Sequence, residues 1–377
     1  MARIHRRRAR NCAPSIVAVF LLRGTGSSAR RATVFESDAS CDSDPSLSPR
    51  FPTLMPQRRS MDIRTVATIS LVVLAVASCR PPKVLSIQRD PGIVGNGIVE
   101  QAGPYSPPPE VTQRLNNAPE GKLSEPSVFL SKTFNVKFRY RLYVPAQYKE
   151  GMAAALMVFQ DASSVYLGLM NTPLVLDNLI HAGEMPVTIA LFLDPGTATG
   201  KYVHATDSGL RSDQYDTPDE KYGAFLVKEL IPVIRKQYRL IEDPNGWAIA
   251  GQSSGGFAAF NTAWWYSDYF HKVLTQNGSF VSIKKGGGDY PTLISTEPPK
   301  PLRVYLLSGT GDLNNEFGSW LEANRSMATA LSKQQYDFRF RPGTGAHFPP
   351  VQAQADFADA LRWLWRGYFA GRIDGRE

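Results

Sequence analysis

The chain has 377 residues, 43% of them hydrophobic, with 42 Lys+Arg against 34 Asp+Glu. That supports a sizeable core in one large domain or two ordinary ones and excludes wholesale disorder. Residues 1–78 carry 12 basic and 5 acidic side chains while the remaining 299 carry 30 and 29, so the body is nearly neutral and lacks the clustered Lys/Arg of a nucleic-acid footprint.

The three cysteines, Cys12, Cys41 and Cys79, all precede the expected folded body. This excludes a disulfide or a Cys/His zinc site within that body. Residues 1–54 are rich in Arg, Ser and Pro and are expected to be an untranslated or disordered leader, with the true start at Met55 or Met61. Met55 to Cys79 reads "MPQRRSMDIRTVATISLVVLAVASC". A basic start, about a dozen apolar residues and a small-residue end are the anatomy of a secretory signal over 55–78. The apolar stretch falls short of the roughly 20 residues that a membrane-spanning helix needs. The ending Val76-Ala77-Ser78-Cys79 resembles a bacterial lipobox, which predicts Cys79 as a lipidated first residue of an exported protein on a membrane surface. The alternative is cleavage after Ala77 and a secreted or periplasmic soluble protein. From 79 to 121 proline and glycine are dense and no period persists, which predicts an extended tether.

The catalytic body is expected over 122–370, with 371–377 as a tail. "SVFLSKTFNVKFRYRLYVP" reads as two strands, the second alternating through Val136, Phe138, Tyr140 and Leu142. "AALMVFQD" and "VTIALFLD" are continuous apolar runs, as buried parallel strands are. Tyr222 to Tyr238 carries apolar residues at helical spacing, with Pro232 expected to kink or break it. "GWAIAG" is a strand and "GGFAAFNTAWWYS" a helix; "KVLTQNGSF" and "LRVYLLSGT" are strands. "FGSWLEANRSMATALSK" is a helix, "YDFRFRPG" a last strand, and "ADFADALRWLWRGYF" an amphipathic C-terminal helix. Such alternation predicts an α/β fold, a mostly parallel central sheet with helices on both faces. Ligands of such sheets sit at the carboxyl ends of the strands.

Gly251-Gln252-Ser253-Ser254-Gly255 matches Gly-x-Ser-x-Gly between a strand and a helix, the setting of a nucleophile elbow. There Ser253 takes strained backbone angles, so its neighbours have to be glycine. The bland reading of the same residues is a Ser/Gly turn that caps a helix. A serine hydroxyl needs a base. Of the five histidines, His347 lies in "PGTGAHFPP" after the last strand, where it can reach the carboxyl edge; His204 is the runner-up. His181 ends a helical segment, and His271 opens a strand at the wrong edge. Asp312, just after "LRVYLLSGTG", is the candidate acid that orients the imidazole, with Glu316 as its rival. The order Ser253, Asp312, His347 is the chain order of α/β-hydrolases. Oxyanion donors are expected from the Ser254 amide and from the loop at Ala162 or Ser163. Trp264-Trp265 and Trp363/Trp365 read as core or groove lining. No standard phosphate loop or metal spacing is evident, so the chemistry needs neither cofactor nor metal.

"GWAIAGQSSGGFAAFNTAWWYSDYFHKVLTQNGSF", "SGTGDLNNEFGSWLEANRSMATAL", "GTGAHF" and "ALRWLW" together resemble the enterochelin-esterase-like branch of the "Putative esterase" family, over about residues 125–370. The resemblance implies an α/β-hydrolase fold and carboxylic-ester hydrolysis through a Ser-Asp-His triad, here Ser253, Asp312 and His347. Relatives include ferric-siderophore esterases, feruloyl and acetyl-xylan esterases, S-formylglutathione hydrolase and mycolyltransferases. The expected partner is thus a small-molecule or glycan ester. An acyltransferase on the same fold, or a non-catalytic siderophore- or glycan-binding module, are the alternatives. Two positions depart from the pattern. Relatives often carry Asp-Gly where this chain has Asp161-Ala162, and a glutamate where it has Gln214.

Overall fold

The computed structural model describes residues 97–201 and 209–368. The leader, the signal, Cys79, His204 and the tail lie outside these residues. The first short elements are β1 (Gly97–Ile98), α1 (Pro109–Thr112), β2 (Lys122–Leu123) and β3 (Ser127–Leu130). Then come β4 (Lys137–Val144), β5 (Ala155–Gln160), α2 (Thr172–His181), β6 (Thr188–Leu193) and α3 (Gly209–Tyr215). A helical run follows through α4 (Lys221–Ala224), a π-helical segment Phe225–Leu230 and α5 (Ile231–Arg235). The remainder is β7 (Trp247–Gln252), α6 (Ser254–Trp265), β8 (Lys272–Gln276), α7 (Tyr290–Thr296), β9 (Arg303–Gly311), β10 (Asn314–Asn315), β11 (Gly318–Ser319), α8 (Trp320–Lys333), β12 (Asp337–Ala346) and α9 (Val351–Trp365).

Ten strands form one sheet in the order β1-β12-β9-β8-β7-β5-β6-β4-β2, with β3 paired to β4. Pairing is parallel from β1 across to β6, and β4 joins antiparallel. Every residue of β5, β6, β7 and β8 is buried, which explains the unbroken apolar runs: helices cover both faces of these strands. On one face Leu156, Val158, Ile249, Val273 and Leu306 pack with residues of α6 and α8. On the other, Met157, Phe159, Ala250, Leu274 and Leu307 pack with residues of α2 and α9. Each such Leu, Ile or Phe contributes roughly 1.5–3 kcal/mol of burial. This is the mostly parallel sheet with helices on both faces that the alternation of elements predicted, in line with the α/β-hydrolase fold that the resemblance implied.

The helix does not end at Pro232, although its type changes there. Pro232 is the second residue of α5, directly after the π-helical segment. The wider turn there accommodates a residue that has no N–H to donate.

The expected tether is the larger correction. Residues 97–121 lie against the domain. β1 pairs parallel to β12, Gly97 opposite Arg339, and the pairing continues through the Val99 N–H to Phe340 O and the Gln101 N–H to Pro342 O. The Tyr105 hydroxyl accepts from the Thr344 N–H at 2.7 Å. Asp177 and Asn178 of α2 bond the stretch at Arg114, Leu115 and Gly121, and Asn178 also donates to Glu110 O and Gln113 O. Proline-rich chain has few N–H groups for a regular element, but its remaining backbone polar groups still find partners when it is laid on an edge strand.

Candidate active site

Ser253 stands between β7 and α6 with φ 57° and ψ −129°. Left-handed φ in a non-glycine residue costs about 1–3 kcal/mol, which its surroundings have to over-determine. They do so with four bonds: Ser253 N–H to Gln276 O at 2.9 Å, and Ser253 O accepting from Gly256 N–H at 2.9 Å and from the Phe257 and Ser279 N–H groups at 3.1 Å. The flanking glycines are steric requirements. A Cβ on Gly251 would lie 2.0 Å from Gly255 O, and one on Gly255 would lie 2.7 Å from Asp161 Oδ2.

Parallel register brings the other two candidates to the same place. Ala346 of β12 is opposite Gly311 of β9, so the next residues, His347 and Asp312, leave the sheet side by side. The two strands approach closely beneath them, where a Cβ on Gly309 would meet Gly345 O at 2.3 Å. His347 Nδ1 lies 2.6 Å from Asp312 Oδ1, and His347 Nε2 lies 2.9 Å from Ser253 Oγ. The carboxylate fixes the ring proton on Nδ1, which leaves Nε2 to accept from the serine hydroxyl. Asp312 Oδ2 also accepts from Asn277 Nδ2 and Ser308 Oγ, both at 2.6 Å, and Oδ1 accepts from the Leu313 N–H at 2.8 Å. Burial would raise the Asp312 pKa, but the hydrogen bonds from His347, Ser308 and Asn277 outweigh it and hold the carboxyl below its ordinary value. Gln252 Nε2 donates to His347 O at 3.0 Å, which ties the base's backbone to the elbow strand.

Four participants gave no signal of their own in the sequence. Asn277 and Ser308 hold Asp312 as just described. Ser279 Oγ lies 3.4 Å from Ser253 Oγ and accepts from Trp320 Nε1 at 3.0 Å. The Trp320 ring stands edge-on to His347, 5.9 Å between centroids. Ser279 and Asn277 both lie in "KVLTQNGSF", and position after a strand's carboxyl end is the signal that could have found them.

The remaining candidates are elsewhere. His181 ends α2 and contacts Asn116 O at 3.1 Å. His271 precedes β8 at the amino edge, its Nδ1 3.0 Å from Asn245 Oδ1. Glu316 lies exposed between β10 and β11. The oxyanion loop is not as expected. The Ala162 N–H donates to Leu193 O at 3.2 Å, and the Ser163 N–H to Asp194 Oδ1 at 2.8 Å. Ser163 Oγ also donates to Asp194 Oδ2 at 2.5 Å, and Arg139 Nη1 binds both groups. Asp194 follows β6 immediately, so its carboxylate reaches these donors across the sheet edge. Among the described residues the loop amide without an acceptor is that of Ser164. The Ser254 N–H opens α6, where no preceding turn supplies a carbonyl. Among the described residues no group of three or more His, Cys, Asp or Glu could hold a metal ion, and no helix is long and apolar enough to cross a membrane.

Residues 131–364 match the model of the family described as "Putative esterase". The chain belongs to this family. A curated relative, the iron(III) enterobactin esterase of Dickeya dadantii (strain 3937), is 25% identical over 213 residues, 52% of this chain and 45% of the relative. Among solved structures, the enterochelin esterase of Shigella flexneri is similar with a TM-score of 0.55 at 19% identity, covering 68% of this chain and 61% of that one. The ferulic acid esterase of Anaeromyces mucronatus is similar with a TM-score of 0.52 at 12% identity, covering 71% and 98%. The chain thus spans under half of the curated relative and about three fifths of the Shigella enzyme.

Both departures from the family pattern have local explanations. Asp161 itself takes the left-handed φ of 51°, and Arg211 grips its carboxylate through Nε at 2.8 Å and Nη2 at 2.5 Å. Ala162 has no positive φ and is buried, so a Cβ fits where relatives carry glycine. Gln214 is buried and pairs with both polar groups of Gly196, accepting its N–H at 2.8 Å and donating to its O at 2.9 Å. A glutamate there could not donate to that carbonyl.

Proposed function

We propose that this family member hydrolyses carboxylic esters through an acyl-enzyme, with Ser253 as nucleophile, His347 as base and Asp312 as the acid that orients it. The observation that carries the reading is the unbroken hydrogen-bond chain Asp312–His347–Ser253 ending on a strained serine. As Ser253 Oγ attacks the ester carbonyl, His347 Nε2 takes its proton, and the carboxylate stabilises the resulting imidazolium. The proton then passes to the leaving alkoxide, which departs as the alcohol. Water, deprotonated by the same nitrogen, releases the acid and restores the serine. The Ser254 N–H and the uncommitted Ser164 N–H are the donors we assign to the oxyanion. Such a donor is worth about 3–4 kcal/mol when removed.

The relatives bear the names of enterobactin and ferulic acid esterases, which supports a siderophore lactone or a feruloyl ester as the substrate. Exposed Phe348, Leu313 and Phe317 lie next to His347 or close after Asp312 in the chain and suit an apolar acyl group. Export and attachment to a membrane through Cys79 complete the proposal; Cys79→Ala should move the protein from the membrane to the soluble fraction. The deciding measurement is p-nitrophenyl butyrate turnover together with fluorophosphonate labelling. Ser253→Ala should lose turnover by roughly four to six orders of magnitude and lose the label. Full turnover in that variant overturns the assignment.

A further inference from the structure

At the amino edge of the sheet, α9 crosses β9 and β12 and leaves a cavity of about 260 Å³. That is at or below the low end of the roughly 300–1,000 Å³ typical of small-molecule pockets, a size for one small group. Its wall includes Arg339, Arg341, Arg362, Arg366 and Trp363. Three of these arginines already have carboxyl partners. Arg341 Nε bonds Asp356 Oδ1 at 3.1 Å, Arg366 bonds Asp337, and Arg362 bonds Glu184 at 2.7 Å, Asp359 at 3.0 Å and Glu110.

Arg339 has no carboxylate partner among the described residues. Its Nε is buried and without any hydrogen-bond acceptor. Its guanidinium lies 5.5 Å from the centre of the Trp363 ring, and that of Arg366 lies 3.9 Å from the same ring. A half-buried guanidinium whose Nε has neither water nor an acceptor is costly, and burial pushes its pKa down accordingly. The geometry is that of a planar donor fork, held over an indole on the cavity wall, the kind of group that binds oxyanions. Two carboxylates share the wall. Asp356 is occupied by Tyr305 Oη at 2.5 Å and by Arg341, and burial raises its pKa to about 7, so near neutrality it is not a full negative charge. Asp359 is exposed and paired with Arg362.

The chain's own path suggests the source of the anion. Gly97 pairs directly with Arg339, and β1 runs parallel to β12. β1 therefore begins at the amino end of β12, beside a residue of this cavity's wall, while Ser253 and His347 stand at the opposite edge. Cys79 is 18 positions before Gly97, a reach of at most about 65 Å at roughly 3.3–3.6 Å per residue.

We propose that this cavity binds a phosphate-type oxyanion on the Arg339 guanidinium, the phosphate of a membrane lipid headgroup being the source that the chain's entry brings nearest. A headgroup bound here turns the amino edge toward the bilayer and leaves the triad facing away from it. The oxyanion site itself does not depend on the ester chemistry.

The test titrates the full chain with inorganic phosphate by calorimetry. Wild type should bind, Arg339→Leu should bind about tenfold more weakly or worse, the scale of one charge-assisted hydrogen bond, and Arg339→Lys should fall between. Unchanged melting and unchanged p-nitrophenyl ester turnover show that the variants are folded. Co-sedimentation with phosphatidylglycerol and phosphatidylcholine vesicles then identifies the source, read as the difference between wild type and Arg339→Leu because the leader is itself basic. Weaker phosphatidylglycerol binding by the variant supports the lipid headgroup. Equal vesicle binding with lost phosphate binding supports a site for free phosphate. No phosphate binding by wild type, or equal binding by wild type and Arg339→Leu, overturns the proposal.

Discussion

The two edges of one sheet hold the same kinds of side chain to opposite effect. At the carboxyl edge His347 has a carboxylate on Nδ1 and a serine hydroxyl on Nε2. At the amino edge His271 is buried at 7% exposure against Asn245, and burial together with neighbouring Lys272 pushes its pKa down to about 4. Asp312 holds a ring; Asp337 is held by two arginines, Arg303 at 2.8 Å and Arg366. Lys272 is buried on the rings of Tyr368 and Trp365. The lesson is that reactivity here does not follow from burial or from residue type. It follows from an uncommitted valence at a fixed position, and the strand ends that open into loops supply it. Arg339 is the counterpart at the amino edge, a fixed cation with its bonding incomplete.

If the contrast holds, His347→Ala should lose ester turnover by roughly four to six orders of magnitude. His271→Ala should keep kcat within a few-fold and lower stability by about 1–3 kcal/mol, since it leaves Asn245 Oδ1 without its partner. Rates and urea melts of both variants check this, and the reverse outcome would assign the base to the wrong edge. The next largest effect is expected from the aspartates. Asp312→Asn should cost roughly 10³–10⁴ in kcat with little loss of stability, because the imidazole tautomer is no longer fixed. Asp337→Asn should leave kcat alone and cost about 3–5 kcal/mol, because it strands two buried guanidinium groups.

A third expectation concerns pH. The folded-state pKa of His271 lies below its unfolded value, so as pH falls the unfolded chain binds the proton first. Stability present above about pH 6.5 should therefore decline by up to roughly 3 kcal/mol as pH falls toward 4. Urea unfolding across that range should show the slope in wild type and a flatter one in His271→Gln. The smallest effect belongs to Tyr105→Phe. It removes the hydroxyl that the Thr344 N–H bonds, three residues before His347. Turnover should fall by a few-fold in kcat at constant KM, with the melting temperature retained.

How much was legible can be argued from particular residues. Gly-Gln-Ser-Ser-Gly between an apolar strand and an alanine-rich helix announces its own turn, because only glycine tolerates the close approaches at Gly251 and Gly255. Asp312 and His347 were legible as the first polar residues beyond strands, and the register of β9 with β12 is what sets them side by side. The arm at 97–121 was not legible. Its two-residue strand pairs through backbone alone, and backbone pairing leaves no period in side chains. The state of the Ala162 and Ser163 amides was also hidden, since it depends on where Leu193 O and the Asp194 carboxylate land. Trp320 and Ser279 are 41 positions apart, and nothing local links them.

Local order along the chain was sufficient to determine the alternation of strands and helices, the two-sided burial of the central strands and the strained turn at Ser253, because each depends on neighbours within a few residues. Tertiary structure alone decided which donors surround Asp312, which loop amides stay open, that the proline-rich arm closes the sheet's edge, and that Arg339 has no carboxylate partner among the described residues. Those outcomes depend on distances between groups far apart in sequence, and only the packed sheet and its helices set such distances.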